Sequence, residues 1–163
     1  MTSRVGIGCD AHRFAAGRRL VLCGVEVPFE LGLDGHSDAD VATHALMDAI
    51  LGASGLGDIG ELFPDSDPRF EGVSSIELLR DVVTRAAAAG WRIGTADLVL
   101  ILQRPRLASY RDAMKGGLAD ALGVEPAAVG IKATTTEGMG FAGRGEGVAA
   151  MAVCQLLSDE GVG

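Results

Sequence analysis

A chain of 163 residues, 48% hydrophobic and 22% charged, is long enough for one domain with a sizeable core and too apolar to be disordered. The net charge of −8, without any Lys/Arg run or aromatic platform, argues against a nucleic-acid partner, and a phosphorylated substrate would need cations supplied locally. The three cysteines, Cys9, Cys23 and Cys154, are odd in number and form no CxxC pair, which speaks against a disulfide framework or a thiolate zinc knuckle and fits a reducing cytoplasm.

Arg4 to Cys9 reads as a first strand. Met1 to Ser3 lead directly into it, leaving no room for a signal segment, and no apolar run approaches the roughly 20 residues of a membrane span. The expectation is therefore a single domain over residues 1–163, soluble and unprocessed, with no membrane partner. Arg19 to Pro28 has two short apolar runs around Gly24 and reads as a hairpin. After a Gly-rich approach, Gly32 to Gly35, Ser37 and Asp40 have capping-box spacing and predict a helix start. Ala42, Ala45, Leu46, Ala49, Ile50 and Ala53 then form a helical stripe that Gly55 and Gly57 end.

Gly57 to Phe70 reads as a polar loop with Pro64 and Pro68. Ser74 and Glu77 make a second capping box for a helix running to about Ala89, where Gly90 stops it. Trp91 to Leu102 reads as a strand, broken by Pro105. A third helix is expected over Ser109 to Leu122 and another strand over Val129 to Thr134. Gly147 to Leu157 fits either a helix or a buried strand by periodicity.

Three clusters carry potential chemistry. Asp10 and His12 follow the first strand, and His44 lies on the helix opposite its Ala stripe. Two imidazoles and a carboxylate make a zinc set with an open fourth position; the competing reading is a capped turn with solvated histidines. His36 and Ser37 precede the first helix, where free N–H groups receive phosphate, or where they merely flank a well-capped helix. Lys132, Thr134, Thr135, Thr136 and Glu137, followed by a Gly-rich stretch around Arg144, offer hydroxyl donors, local positive charge and a carboxylate for Mg²⁺ or Mn²⁺; the alternative is a Thr-rich strand and a turn. Asp58 between Gly57 and Gly60, and Phe63 to Asp67, make a weaker sugar-binding candidate or an ordinary surface loop.

Taken in order, Gly8-Cys9-Asp10-Ala11-His12-Arg13-Phe14, GHSDADV from Gly35 to Val41 with His44, GDIG from Gly57, FPD from Phe63, KATTTE from Lys132 and GRGEG from Gly143 resemble the motif set of the cyclodiphosphate synthases of the non-mevalonate isoprenoid pathway. The likeness runs from the first strand to the last segment, without the fused cytidylyltransferase-like domain of bifunctional forms. It implies an α+β subunit with a mixed sheet covered by helices on one side. It also implies a homotrimer with the sheets around the threefold axis and active sites between subunits. The Gly147–Leu157 segment would then be a strand.

Residue by residue, the resemblance implies zinc on Asp10, His12 and His44, with Ala11 beside the substrate. His36 and Ser37 match contacts to its phosphate end. Asp58, Ile59 and Gly60 match contacts to the methylerythritol hydroxyls, with Phe63, Pro64, Asp65, Ser66 and Asp67 nearby. The loop Leu102, Gln103, Arg104, Pro105, Arg106, Leu107 and Ala108 would receive the cytidine. Thr134, Thr135, Thr136 and Glu137 match the diphosphate and second-metal site, where Mg²⁺ or Mn²⁺ is implied at Glu137. Phe141 and Arg144 complete the pattern. Arg106 stands where Lys is common, and Ser109 where Pro is frequent.

The implied substrate is 4-diphosphocytidyl-2-C-methyl-D-erythritol 2-phosphate, whose 2-phosphate attacks the β-phosphorus while CMP leaves. His36 and Thr135 would stabilise the developing charge. Two other readings compete. A zinc hydrolase of phosphate esters would need a base near the metal, for which Asp40 is the candidate. A non-catalytic trimeric metal- or nucleotide-binding protein would make no product at all.

Overall fold

The computed structural model describes residues 1–158. Its elements, in chain order, are β1 (Thr2–Ala15), the short strands β2 (Leu20–Leu22), β3 (Val25–Val27) and β4 (Gly32–Leu33), α1 (Val41–Ser54), α2 (Ile59–Leu62), α3 (Ser75–Ala88), β5 (Arg92–Ile101), α4 (Arg111–Leu122), β6 (Val129–Thr134), α5 (Gly140–Gly143) and β7 (Gly147–Ser158). The expected α+β class with a mixed sheet is present. Five strands run in the order β4-β1-β7-β5-β6, antiparallel except for the parallel pair β5/β6. β2 and β3 form the separate hairpin read from the two apolar runs around Gly24.

Strand alternation sorts the sheet into two faces. Gly6 and Gly8 on β1, Leu98 and Leu100 on β5, and Ala150, Ala152 and Leu156 on β7 point to a buried face. α1 lies on that face against β1 and β7, and α3 packs on α1, with α4 beside it. The opposite face carries Val5, Ile7, Met151 and Val153, all exposed in the single chain.

Several boundaries differ from expectation, each for a tertiary reason. β1 continues six residues past Cys9, because every residue from Thr2 to Arg13 finds a partner on β7. α1 starts at Val41, capped by Asp40, whose carboxylate accepts the Thr43 amide; Ser37 stands outside the helix and makes no capping box. Ser74 occupies the cap position of α3, but its side chain makes no capping bond. α4 begins at Arg111 behind a 3₁₀ turn, Ala108–Tyr110. The polar loop after Gly57 contains the short helix α2 and a second 3₁₀ turn, Pro68–Phe70. β7 resolves the ambiguous final segment as a strand, since it pairs with both β1 and β5. α1 is also buried on nearly all sides, and Val41, Thr43, Met47 and Leu51 are as covered as the alanine stripe. It lies between the sheet and α3, so no single stripe describes it.

Candidate active site

Asp10 and His12 are two residues apart on β1 and therefore project to the same face, in line with Gly6 and Gly8. Those glycines let the strand lie directly on α1: a Cβ at Gly8 would sit 1.9 Å from the Ala45 carbonyl oxygen, and one at Gly6 1.9 Å from that of Ala49. The neighbour of Ala45, His44, is thereby delivered to the end of β1. His12 Nε2 lies 2.9 Å from Asp10 Oδ2 and 3.2 Å from His44 Nδ1, and His44 Nδ1 lies 3.2 Å from the same carboxylate oxygen.

This triangle fits a metal ion. Ligands about 2.0–2.1 Å from a tetrahedral zinc are about 3.3 Å from each other, close to the edges found here. His12 Nδ1 donates to the Asp34 carbonyl at 2.8 Å, which leaves Nε2 for the Asp10 side: protonated, it donates to the carboxylate, and neutral, its lone pair is free for a metal. His44 Nε2 lies 2.9 Å from Ser75 Oγ and 3.1 Å from Ser37 Oγ. Without a cation, the charges compensate one another. Burial acts to raise Asp10, but hydrogen bonds and charge from His12 and His44 prevail and hold its carboxyl far below the usual range. Burial acts to lower His12, and Asp10 with the Asp34 carbonyl more than reverses that.

The triad opens onto a cleft of about 330 Å³ lined by His36, Ser37, Ile59, Gly60, Phe63, Pro64 and Asp65, with Met47, Phe70 and Leu78 as its apolar wall. His36 Nε2 donates to the Asp67 carbonyl at 3.1 Å, tying the turn before α1 to the loop after α2. Asp58 caps α2 through Glu61 N, and Asp67 is engaged by Arg69. Ser66 is exposed.

A second groove, of about 220 Å³, runs along Leu102, Gln103 and Pro105 to Ala108, with Arg111, Ala133, Thr134 and Thr135 opposite. Arg104 reaches Glu30 on the neighbouring surface. Thr136 Oγ1 donates to the Met139 carbonyl. Glu137 takes a left-handed backbone conformation, φ +53°, and its amide donates to Thr135 Oγ1. Phe141 borders Ala11 and His12 on the far side of β1, and Arg144 pairs with Glu146.

The clusters thus gather at one end of the sheet without meeting in one chain. Ala11, Ala149, Ile101 and Thr134 form a row across four strands. At roughly 4.8 Å per strand spacing, about 14 Å separates the metal-binding end of β1 from the threonine cluster on β6.

Asp40 does not sit in the cleft. It is fully buried and accepts the amides of Cys23 and Gly24 and both the amide and hydroxyl of Thr43. Burial raises its carboxyl above the usual range. The base expected of a hydrolase therefore anchors the β2–β3 hairpin instead. Asp34, Ser75 and Asp48 are site residues that the sequence did not reveal. Asp48 lies one turn beyond His44, and its carboxylate accepts the Ile59 amide at 2.9 Å, holding the start of α2 at the cleft. Its spacing of four from His44 was the available signal; Asp34 acts through its carbonyl, and Ser75 reaches His44 only through the fold.

Comparison with known proteins agrees with this arrangement. The model of the YgbB family matches residues 3–157. The 2-C-methyl-D-erythritol 2,4-cyclodiphosphate synthase of Desulforamulus reducens is 55% identical, over 94% of this chain and 98% of that protein. The bifunctional enzyme IspD/IspF of Anaeromyxobacter dehalogenans is 58% identical over 96% of this chain, which spans only 40% of that relative's length. A solved structure of a 2C-methyl-D-erythritol-2,4-cyclodiphosphate synthase in a CDP-bound form is 42% identical with a TM-score of 0.87, covering 94% of this chain and all of that one. With the family model spanning nearly every residue and a relative more than half identical along almost its whole length, this chain belongs to the YgbB family.

Proposed function

We propose that this chain, as one domain over residues 1–163, converts 4-diphosphocytidyl-2-C-methyl-D-erythritol 2-phosphate to 2-C-methyl-D-erythritol 2,4-cyclodiphosphate. It would release CMP, in the cytoplasm, as a step toward isoprenoid precursors. The observation that carries the reading is the Asp10/His12/His44 triangle, open onto a cleft between the turn before α1 and the loop around α2. The family and the names of its full-length relatives support the reaction.

Asp10, His12 and His44 would hold zinc, and Glu137 would hold Mg²⁺ or Mn²⁺. When bound, such cations supply positive charge and Lewis acidity to phosphate oxygens, which an acidic chain otherwise lacks. Asp58, Ile59 and Gly60 bind the methylerythritol hydroxyls, and Leu102 to Ala108 receive the cytidine, in keeping with the CDP-bound relative. Ser37 and the amides before α1 bind phosphate. With Nε2 committed to the Asp67 carbonyl, His36 has Nδ1 left for the phosphate. Thr135 donates to the diphosphate from the other half-site. The reacting groups belong to one molecule, so the protein's task is positioning and charge neutralisation. Ser37 Oγ, the hydroxyl among the described cleft-lining side chains, is buried and already accepts the Ala39 amide, which suits binding better than nucleophilic attack.

A substrate that needs both half-sites is best served by a second chain. Val5 and Ile7 are 68% and 65% exposed, and Val153 and Met151 beside them about 40%, on the sheet face that no helix among the described residues covers. Such a patch is costly in water. A ring of three closes with one type of contact and puts each β1 end beside a neighbour's β6.

The test is phosphorus NMR with the full substrate and with an analogue lacking the 2-phosphate. One CMP per cyclic diphosphate from the first, and neither product from the second, is expected. CMP formed equally fast from the analogue would make water the nucleophile and overturn the cyclisation.

A further inference from the structure

We infer that Ser75 and Asp38 are positioning residues that set the tautomer of His44, through a relay running from His44 Nε2–H to Ser75 Oγ and from the Ser75 hydroxyl to the Asp38 carboxylate. The inference rests on the reading of Asp10, His12 and His44 as metal ligands and goes beyond it, since neither residue is a ligand or lines the substrate's binding loops. Ser75 is fully buried. Its hydroxyl bonds Asp38 Oδ1, its amide donates to Asp38 Oδ2 at 3.0 Å, and its Oγ lies 2.9 Å from His44 Nε2. An ionised carboxylate only accepts, so the single hydroxyl proton of Ser75 points to Asp38. The oxygen can then only accept from His44, and Nε2 must carry the hydrogen. A neutral imidazole holds one such hydrogen, which leaves the Nδ1 lone pair for a cation that Asp10 Oδ2 and His12 Nε2, each 3.2 Å away, would hold with it.

His12 reaches the same result through one backbone carbonyl, that of Asp34. His44, on the buried helix α1, is served by two side chains instead: Ser75, which touches its Nε2, and Asp38 behind it. Ser37 Oγ, at 3.1 Å, is the weaker second acceptor, and it already receives the Ala39 amide. The relay is held rigidly. The Asp38 amide donates to the Val73 carbonyl and the Gly72 amide to the His36 carbonyl, so the turn before α1 and the start of α3 are laced together. The orientation of a ligand on α1 is thereby coupled to the docking of α3.

A purely structural role for Asp38, capping α3 through the Ser75 amide, makes a different prediction. In Asp38→Asn the side-chain oxygen still accepts that amide, but the new NH₂ donates to Ser75 Oγ. The serine hydroxyl then turns to His44, which must accept on Nε2 and carry its hydrogen on Nδ1. The experiment measures zinc affinity by chelator competition for the wild type, Asp38→Asn, Ser75→Ala and His44→Ala. Long-range ¹H–¹⁵N spectra of the metal-free wild type, Asp38→Asn and Ser75→Ala proteins, recorded in alkaline solution where the imidazole is neutral, read the His44 tautomer directly. Zinc binding is expected to weaken about 10- to 100-fold in Asp38→Asn and Ser75→Ala, with the Nε2–H form of the wild type replaced by Nδ1–H in Asp38→Asn. If Asp38→Asn does not fold, Ser75→Ala decides the matter, by its affinity and by loss of the fixed tautomer. Wild-type affinity and tautomer in the relay variants, while His44→Ala loses zinc, overturn the relay alone. Full zinc retention in His44→Ala overturns the metal reading beneath it.

Discussion

Gly8 and Ala45 meet backbone to backbone: a Cβ on Gly8 would lie 1.9 Å from the Ala45 carbonyl oxygen. This contact, repeated between Gly6 and Ala49, brings β1 and α1 closer than side chains would permit. Asp10 and His44, 34 residues apart, come within 3.2 Å of each other as a result.

Gly8→Ala should therefore destabilise the protein by about 3 kcal/mol, the upper end for overpacking, because the obstacle is backbone and cannot swing aside. Its zinc content should fall as well, since the strand must move away from His44. Gly52→Ala is the control. Gly52 is an exposed position of α1, and a Cβ there would meet nothing within 4 Å, so the change should stabilise by up to about 1 kcal/mol. Urea denaturation of both variants checks the pair.

The two proposed metal sites should separate by mutation. His44→Ala removes an imidazole from the triangle and should abolish tightly held zinc. Glu137→Gln should keep the zinc but weaken the response to Mg²⁺ or Mn²⁺, since a neutral amide is a poorer ligand for a hard cation. Metal analysis of the purified variants, with activity titrated against each cation, distinguishes them. Zinc loss in Glu137→Gln with normal Mg²⁺ dependence would mean that the roles are exchanged.

Stability should fall in alkaline solution through the buried thiols. Burial pushes Cys154 up to about 11 from an ordinary 9.0, and Cys23 well above the ordinary value. Between pH 9 and 11 the unfolded chain releases protons that the folded chain retains, so the unfolded state binds fewer protons and stability decreases as pH rises. The slope of unfolding free energy against pH should be shallower in Cys154→Ala than in the wild type. Native Cys23 and Cys154 should also resist a thiol reagent at pH 8 and react in denaturant.

The uncovered sheet face should be an interface between copies of the chain. Ile7→Glu places a charge in the middle of Val5, Met151 and Val153 and should convert a trimer to monomers in sedimentation. Zinc should remain bound, because the triangle belongs to one chain, while CMP release should fall sharply because the half-sites no longer meet. A stable monomer of the wild type at micromolar concentration would contradict the assembly.

Much of this protein was legible locally. The helices α1, α3 and α4, the hairpin around Gly24 and the strands β1, β5 and β6 follow from apolar period, glycine stops and capping residues, signals carried within about a dozen neighbouring positions. The order of Asp10-x-His12, GHSDADV and KATTTE was enough to indicate the family. The tertiary structure decided whatever depends on groups distant in sequence. Gly147–Ser158 is a strand because β1 and β5 flank it on both sides, which its own apolar pattern does not encode. Asp40 became a buried anchor because the β2–β3 hairpin brings the Cys23 and Gly24 amides onto it, whereas in the sequence it stood free to act as a base. Ser75 and Asp34 carried no local sign of their contacts to His44 and His12, since a serine beginning a helix and a backbone carbonyl look alike wherever they occur. Local sequence specifies which side chains are present and how each segment turns; only long-range packing determines which lone pair faces which proton.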